Sequence, residues 1–314
     1  DGRIPIKMAG KDIDIRLSTV PVANGERIVM RILEKSNNVL KLENLGFHGK
    51  ILSQLDDLSK RKHGVVYVSG PTGHGKTTTL FAMLERIKSP DKMIITVEDP
   101  VEYEIQGISQ IQVNQKIDLS FAKALRSILR QNPDIIMVGE TRDLETAEMA
   151  VQASLTGHFV LSTIHTNDAS TVPNRLIDMG VKPFLIASSL AAVLAQRLLQ
   201  TLCEHCKDPY APNDFDMSIM GVDSVPADST FYKPKGCPKC NYRGYAGLTS
   251  VSELLIISDE IRPLILDKAD AATVKRVAVK CGMTTLRQDA LYKVYCGETS
   301  VEEMARAIND EDNV

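Results

Sequence analysis

A glycine-rich loop set between an apolar run and a helical pattern constrains this chain more than any other feature of its sequence. Residues 70–77 read Gly-Pro-Thr-Gly-His-Gly-Lys-Thr and match G-x-x-x-x-G-K-[ST] in full. Residues 65–69 are typical of a buried strand, and the residues after the loop predict a helix over 76–87. In such a loop, backbone amides turn inward around a phosphate, and the start of the helix adds a favourable field for the anion.

The loop therefore predicts a site for a nucleoside triphosphate. Lys76 is expected to contact the β- and γ-phosphates, and the Thr77 hydroxyl is expected to ligate Mg²⁺. The alternative is a glycine-rich turn with Lys-Thr by chance, which the strand and the helix on either side disfavour. The residues of this segment expected to bind the nucleotide are Gly70, Pro71, Thr72, Gly73, His74, Gly75, Lys76, Thr77 and Thr78.

Strand and helix patterns alternate around the loop. This alternation predicts an α/β domain with a mainly parallel sheet covered on both faces. The predicted strands are residues 65–69, 93–97, 135–138 and 159–164, and the predicted helices are residues 45–60, 76–87, 120–131 and 144–155. Residues 1–35 alternate apolar and polar side chains with a turn at 23–25, which predicts β-structure, and the polar residues 34–38 predict a linker.

Acidic residues directly follow two of the predicted strands. Glu98, Asp99 and Glu102 follow residues 93–97, and Glu140 follows residues 135–138. Doubly wound sheets place their ligands at the carboxyl ends of their strands, so these carboxylates are expected beside the phosphate loop. Hydrolysis of a phosphoanhydride needs one carboxylate to activate water and another to support the metal. The alternative for the first cluster is a solvated acidic turn.

The composition excludes several classes of protein. The net charge of −3 gives no overall attraction to nucleic acid, and 5% aromatic residues with no Trp offer few platforms for base stacking. No apolar run reaches the roughly 18–20 residues of a membrane helix, and the first residues lack the apolar core of a signal peptide. A cytoplasmic location is therefore expected.

Four cysteines form two C-x-x-C pairs, Cys203/Cys206 and Cys237/Cys240, separated by residues 207–236. Because cytosolic cysteines rarely form disulfides, the four thiolates are interpreted as a closed, structural Zn²⁺ site. The alternative is four unpaired thiols, with His205 as a spare ligand. Cys281 and Cys296 lie in a helical pattern and are expected to be packing residues.

Five ordered blocks together resemble the secretion ATPase superfamily of type II secretion and type IV pilus systems. They are GPTGHGKTTTL at 70–80, VEDPVEY at 97–103, LRQNPDIIMVGETRD at 129–143, TGHFVLSTIHTN at 156–167 and the paired C-x-x-C motifs. The resemblance covers essentially the whole chain. It implies a RecA-like motor that hydrolyses MgATP as a homo-hexamer.

The resemblance also implies roles for individual residues. Glu102 would activate the attacking water, Glu98 and Asp99 would support the metal and phosphate shell, and Glu140 would hold Mg²⁺ through water. His158 and His165 match the two histidines that would sense the γ-phosphate, although a histidine beside a buried strand is often only a satisfied polar group.

Arginines near the two ends of this region are further candidates. Arg16 and Arg31 match arginines that reach the nucleotide when the N-terminal part closes over the motor, and Arg126, Arg130 and Arg142 belong to the motor itself. The planar guanidinium suits phosphate oxygens. The alternative for each arginine is an ordinary surface ion pair.

Pattern and resemblance together predict four parts. Residues 1–38 are the end of a β-rich, PAS-like domain with its linker, and residues 39–200 are the RecA-like P-loop domain. Residues 201–250 are the tetracysteine zinc subdomain, and residues 251–314 are a C-terminal helical subdomain. His74 stands where the resemblance leads one to expect Ser, which would add bulk and charge beside the phosphates.

The implied partners are further copies of the chain and the inner-membrane platform and cytoplasmic-anchor proteins of a type II secretion or type IV pilus machine. Contact with the membrane would come only through these partners, and no nucleic acid is expected. A pilus retraction motor is disfavoured because such motors generally lack the four cysteines. A zinc-bearing nucleic-acid motor and a nucleotide-switched adaptor without turnover are the alternatives from other classes.

Overall fold

The first part of the chain is a small antiparallel sheet. The computed structural model describes residues 2–8, 11–34, 41–225 and 229–308. Strands β1 (Gly2–Met8), β2 (Lys11–Val22) and β3 (Gly25–Glu34) pair in the order β1-β2-β3, and Val22 opposite Gly25 closes the predicted turn. Much of its apolar surface is open, with Ile32 68% exposed. Of the linker predicted at 34–38, Glu34 is the last residue of β3, and residues 35–38 lie outside the described residues.

A seven-stranded sheet organises the rest of the molecule. All neighbouring strands are parallel except β9 and β12, in the order β12-β9-β4-β8-β7-β5-β6. The mainly parallel α/β architecture expected from the alternation is confirmed. The strands are β4 (Gly64–Ser69), β5 (Ile94–Glu98), β6 (Ser109–Gln112), β7 (Ile135–Val138), β8 (Phe159–Ile164), β9 (Leu190–Leu202) and β12 (Tyr245–Ile256).

Helices cover both faces of this sheet and continue to the end of the described chain. Several begin at a side chain that accepts a backbone N–H, as Asp143 does from Thr146 at the start of α4. The helices are α1 (Gly49–Ser59), α2 (Lys76–Ile87), α3 (Phe121–Ile128), α4 (Leu144–Leu155), α5 (Thr171–Asp178), α6 (Pro183–Ser189), α7 (Asp214–Met220), α8 (Ile261–Leu266), α9 (Ala271–Lys280), α10 (Leu286–Tyr295) and α11 (Val301–Ala307).

Strand β4 shows why the sheet must be covered on both faces. Its side chains alternate between two apolar cores: Val65 and Tyr67 belong to one, and Val66 and Val68 belong to the other. All four are at most 1% exposed. The strand is therefore a central one, and the loop that follows it emerges in the middle of the sheet edge.

Strands β9 and β12 were not resolved as strands by the sequence pattern. The apolar run 184–195 divides between α6 and β9, and β9 then continues to Leu202. Strand β12 crosses the expected boundary between residues 250 and 251 and pairs along most of its length with β9, with Tyr245 opposite Leu202 and Ile256 opposite Ala192. The segment after the cysteines thus returns to the main sheet.

The C-terminal helices pack on this antiparallel pair and enclose a third apolar core. Glu303 of α11 is 3% exposed and joins the helix to β9, because its Oε1 accepts the N–H of Gln200 at 2.8 Å. Arg306, one turn later, donates to both oxygens of the same carboxylate at 2.6 and 2.7 Å. The last described helix is therefore fixed to the sheet by a buried, charged group.

Candidate active site

The phosphate-type loop leaves β4 at Ser69 and enters α2 at Lys76. Two glycines are needed for its path: Gly70 has φ 141° and Gly75 has φ 75°, a region that side chains with a Cβ rarely adopt. A Cβ on Gly70 would lie 2.5 Å from the carbonyl oxygen of Gln196 in β9. The loop thus packs closely against β9, and its backbone can follow this path only because these two positions are glycine.

Lys76 lies at the centre of the loop and is 8% exposed. Its Nζ donates to the carbonyl oxygens of Gly70 at 2.7 Å and Pro71 at 3.0 Å. Burial lowers the pKa of this ammonium, and the nearby negative charge of Glu140 opposes the shift. A cation is therefore held at the start of α2, next to the inward-turned loop.

A cleft of about 580 Å³ opens beside the loop at the carboxyl ends of the parallel strands. The acids that follow the two predicted strands meet there, as the sheet topology led us to expect. Its lining consists of Arg31, Thr72, Gly73, Gly75, Lys76, Thr77, Thr78, Glu98, Asp99, Pro100, Glu102, Phe121, Gly139, Glu140, Arg142, Thr163 and His165.

Glu140, two residues after the end of β7, is held between the side chains of Arg142 and His165. Its Oε1 lies 2.8 Å from His165 Nε2, and its Oε2 lies 2.6 Å from Arg142 Nη2. Burial raises the pKa of Glu140, but the hydrogen bond and charge of Arg142, together with His165, outweigh it, so the pKa falls below 4.5. This carboxylate is therefore anionic at neutral pH and faces Lys76 across the cleft.

Glu98, the last residue of β5, is 2% exposed and has a different environment. The Thr96 hydroxyl and the Gln110 amide donate to its Oε1 at 2.5 and 3.0 Å. Its Oε2 is buried without a hydrogen-bond partner among the described residues. Burial raises the pKa of Glu98, against the effect of the two donors. A buried carboxylate oxygen at the cleft wall is the kind of atom that a cation or its bound water satisfies.

The arginine candidates separate into two groups. Arg31 of β3 and Arg142 line the cleft, whereas Arg126 pairs with Glu145 and Arg130 donates to Ser127 on the outer surface. Arg126 therefore forms an ordinary surface ion pair, which was the alternative to a role at the nucleotide. Arg16 of β2 lies opposite Arg31 in the strand register, but its side chain is outside the described structure.

The two histidine candidates lie at opposite ends of β8. His165 follows the strand at its carboxyl end and reaches both Glu140 and Lys76, whose Nζ is 3.4 Å from His165 Nδ1. His158 precedes the strand, and its Nδ1 lies 2.8 Å from the Ala153 carbonyl at the end of α4. The structure brings His165 into the cleft and leaves His158 about six strand residues, or ~20 Å, away.

His74 was expected to add bulk and charge beside the phosphates, but its side chain is directed elsewhere and its neutral form is favoured. Its Nδ1 accepts the backbone N–H of Leu198 in β9 at 2.9 Å, so the ring faces the sheet. Burial, with the charges of Arg197 and Lys76, lowers the pKa of His74 and favours the neutral ring. The side chain of Gln196 completes the attachment by donating to the His74 carbonyl and accepting from Thr79.

Sequence reasoning missed three of these neighbours: Thr96, Gln110 and Gln196. All are neutral and none belongs to a charged motif. Gln196 bonds to residues more than a hundred positions away, whereas Gln110 and Thr96 bond to Glu98 from twelve and two positions away. The one available signal was a Gln on a short edge strand beside an acidic segment, which is too common to single out.

The donors around the cleft fit a magnesium ion as well as a triphosphate. Oxygen ligands suit this hard cation, and it usually keeps several waters. Thr77 and Glu140 both line the cleft, and the unsatisfied Glu98 Oε2 adds a further acceptor there. Since both Glu140 oxygens already contact Arg142 or His165, contact through water is the arrangement that preserves these bonds.

The four cysteines of the two C-x-x-C pairs come together at the far end of β9. The Sγ atoms of Cys203 and Cys237 are 3.9 Å apart, and those of Cys206 and Cys240 are 3.8 Å apart. All four lie within 4.8 Å of one another. Tetrahedral Zn²⁺ with bonds of about 2.3 Å requires S···S distances of about 3.8 Å, so the cluster fits this metal.

The long interval between the pairs is explained by the strands. The first pair follows β9 and the second precedes β12, and these strand ends are adjacent because Tyr245 pairs with Leu202. Two short strands, β10 (Asp208–Tyr210) and β11 (Phe231–Lys233), pair antiparallel and close the interval, with α7 in the connection between them. The backbone amides of Cys237 and Gly244 donate to Cys240 Sγ. Burial raises the pKa of this thiol, but these amides and the neighbouring thiols outweigh burial and lower the pKa to about 6.

Three other predictions about this region are settled by position. His205 lies on the exposed surface beside Lys239 and is not part of the cluster. Cys281 and Cys296 were expected to pack in the helical part, and this is wrong because both are exposed. They follow α9 and α10 directly, where the chain turns away from the core.

Comparisons with known proteins agree with the fold. The family model described as "Type II/IV secretion system protein" matches residues 1–306. The type II secretion system protein HxcR of Pseudomonas aeruginosa is 51% identical over 99% of this chain and 62% of its own length. The type IV pilus assembly ATPase PilB of Thermus thermophilus is 46% identical over 98% of this chain and 35% of its own.

A solved structure, that of the pilus retraction motor PilT with bound ADP, superimposes with a TM-score of 0.71 at 26% identity, over 100% of this chain and 79% of that one. The chain spans less than two thirds of the length of HxcR and of PilB, the two relatives named above. In the described residues, no helix has the length and apolar character to cross a bilayer. The superfamily resemblance carried by the five blocks is confirmed, and the chain belongs to the type II/IV secretion system protein family.

Proposed function

We propose that this chain is the catalytic part of a motor that hydrolyses MgATP. The observation that carries the proposal is the meeting of Lys76 with Glu98, Glu102 and Glu140 around one cleft at the phosphate loop. Binding of a triphosphate needs the loop and its lysine, whereas turnover also needs acids placed beside them. The identity to proteins described as secretion or pilus-assembly ATPases supports the same activity.

Each group has a defined task in this proposal. The loop amides and Lys76 bind the phosphates, and Glu102 orients and deprotonates the attacking water. Thr77 and Glu140 would hold Mg²⁺, which supplies neutralisation of the charge that develops on the phosphate oxygens. His165 keeps Glu140 in place from the carboxyl end of β8 and lies within reach of Lys76.

Arg31 extends the site to the N-terminal sheet. Its exposed side chain is on β3, while the phosphate loop and the acids are on the large sheet, and all of them line one cleft. Attraction between this guanidinium and phosphate charge would close the two sheets on one another when ATP binds and release them after hydrolysis. Arg16, in register with Arg31, is proposed as a second cation of this closure.

The proposed role of the activity is to power protein secretion of type II or assembly of type IV pili. The motor would act as a homo-hexamer on the cytoplasmic side of the bacterial inner membrane, through platform and cytoplasmic-anchor proteins rather than through lipid. The names of the relatives support the two systems, and the four cysteines are proposed to hold a structural Zn²⁺ in this machine.

A retraction motor is the second candidate, favoured by the superposition on PilT at 26% identity. Relatives described by secretion or pilus assembly are 46–51% identical, which favours the first candidate. A nucleic-acid motor and an adaptor without turnover are weaker alternatives, since aromatic residues make up only 5% of the chain and Glu102 and Glu140 both line the cleft.

Steady-state hydrolysis by Glu102→Gln tests the chemistry. The variant keeps the size of the side chain but removes the base, so turnover should fall by about 10²–10⁴-fold while binding of a fluorescent ADP or ATP analogue is retained. An unchanged rate of hydrolysis would indicate another base, and a wild-type rate no higher than the uncatalysed background would support the adaptor. A folded wild-type chain with no affinity for magnesium and adenine nucleotide would overturn the proposal as a whole. If the chain hydrolyses ATP, stimulation of its hydrolysis rate by the cytoplasmic part of a candidate inner-membrane partner would identify the secretion or pilus system.

A further inference from the structure

Gln110 joins three points of the acidic segment through one carboxamide. It lies on β6, the edge strand next to β5, directly opposite Thr96 in the register. Its Nε2 donates to Glu98 Oε1 at 3.0 Å and to the Tyr103 carbonyl at 3.1 Å, and its Oε1 accepts the N–H of Ile105 at 2.7 Å. Donors and acceptor of the amide are therefore all used within residues 98–105.

The first contact helps to determine which oxygen of Glu98 is hydrogen-bonded within the sheet and which is left without a partner. Thr96 and Gln110 both donate to Oε1, and the carboxylate is 98% buried, so rotation about its last bond would break two hydrogen bonds. Oε2 is left buried, without a partner among the described residues, at the wall that Lys76 and Glu102 share. The side chain is thus presented in one orientation before any ligand arrives.

The other two contacts hold the loop that carries Glu102. Tyr103 and Ile105 follow Glu102 closely, and Gln110 binds the carbonyl of the one and the amide of the other. The Tyr103 ring also packs edge-on against Phe81 of α2, with ring centroids 4.7 Å apart. The loop is therefore fixed on one side by β6 and on the other by the helix that begins at Lys76.

We propose that Gln110 is a positioning residue for hydrolysis, which holds Glu98 Oε2 and the Glu102 loop at the reacting phosphate. This inference rests on the proposed function. Gln110 itself is not among the residues that line the cleft, and it acts only through Glu98 and the loop. A merely structural residue on an edge strand would instead affect stability without a separate effect on turnover.

Few side chains could replace Gln110 and keep its three hydrogen bonds. A Glu would lose both N–H donors and place a second carboxylate next to Glu98. A Leu of similar size would lose all three hydrogen bonds while keeping the packing. Because a catalytic group misplaced by about 1 Å can cost roughly 100-fold in rate, both changes should be visible in turnover.

The test compares Gln110→Leu and Gln110→Glu with Gln112→Leu, which changes an exposed glutamine on the same strand. For the two Gln110 variants we expect kcat to fall by about 10–100-fold, with KM for MgATP and affinity for ADP within about threefold of wild type, since the phosphate loop is untouched. Gln112→Leu should retain wild-type kcat. Thermal unfolding of each variant identifies loss of fold.

A double variant separates positioning from general damage. If Gln110 acts through Glu98, Gln110→Leu should reduce kcat far less in a Glu98→Gln background than in the wild type. Full additivity in the Glu98→Gln background and in a Glu102→Gln background alike, or a Gln110→Leu enzyme with wild-type kcat, would overturn the inference while leaving the proposed hydrolysis intact. Absence of hydrolysis in the wild-type chain would instead count against the proposed function.

Discussion

The imidazole of His165 contacts both Glu140 and Lys76: Nε2 lies 2.8 Å from Glu140 Oε1, and Nδ1 lies 3.4 Å from Lys76 Nζ. One ring at the end of β8 therefore connects the acid at the end of β7 with the cation at the start of α2. Three neighbouring structural elements meet at this ring, so its position depends on the register of the parallel sheet.

The first prediction follows from this contact. His165→Ala should lower kcat for ATP by about 10–100-fold, because Glu140 loses a partner that orients it and Lys76 loses a neighbouring polar group. Steady-state hydrolysis across MgATP concentrations measures it. His205→Ala, which changes an exposed histidine on the cysteine knuckle, is the matched control and should hydrolyse ATP normally.

The second prediction concerns the phosphate loop. Lys76→Ala should abolish measurable binding of MgATP at micromolar concentration, because the buried ammonium is the cation that the triphosphate would meet. Equilibrium titration with a fluorescent nucleotide measures it. Lys60→Ala removes a lysine whose side chain is 74% exposed and should bind as the wild type does. Wild-type affinity in Lys76→Ala would contradict the assignment of the loop.

The third prediction concerns the cysteine cluster. Purified protein should contain about one zinc per chain, and Cys203→Ser or Cys237→Ser should remove it and lower the melting temperature. Elemental analysis and thermal unfolding measure the two effects. Cys281→Ser and Cys296→Ser change exposed cysteines outside the cluster, so both should keep zinc and stability. Zinc-free wild-type protein of unchanged stability would contradict the site.

The fourth prediction is a dependence of stability on pH through Glu303. Burial raises the pKa of this carboxyl, but Arg306 and the Gln200 amide outweigh it, so the folded pKa lies below 4.5. A depressed folded pKa stabilises the protein above the unfolded pKa, and this contribution is lost as the pH falls through the folded value.

Glu303→Gln should therefore lower the free energy of unfolding near pH 7 by about 1.5–3 kcal/mol, with a smaller difference from wild type near pH 3. Urea unfolding at a series of pH values measures this. Glu302→Gln, on the exposed side of the same helix, should change stability by less than about 0.5 kcal/mol. A difference that stays constant with pH would contradict the assignment.

Four parallel strands of the central sheet, β4, β5, β7 and β8, were predictable because each carries a local signal, whereas the short parallel edge strand β6 was not predicted. Residues 135–138 are four apolar residues between a helix and an acid, and β7 has these same bounds. Strands β9 and β12 lack such a signal, since their pairing joins residues about fifty positions apart and one begins inside an apolar run that also forms α6. Pairing of that kind is decided by tertiary contact.

Within the cleft, the charged groups were predictable and their orientation was not. The phosphate loop motif and the acids after the strands identified Lys76, Glu98 and Glu140 from sequence alone. That His74 turns toward Leu198, and that Gln110 holds Glu98, depends on the backbone or side-chain atoms of neighbouring strands. Such neighbours have no fixed spacing along the chain.

Strand β9 runs from the phosphate loop to the first cysteine pair. Gln196 and Leu198 hold His74 of the loop, and the strand ends at Leu202, immediately before Cys203. The path from Leu198 to Cys203 is roughly 16 Å of extended backbone that cannot lengthen. We therefore expect any displacement of the phosphate loop along the strand axis to be transmitted to the cysteine pair, which makes β9 a mechanical connection between the two sites.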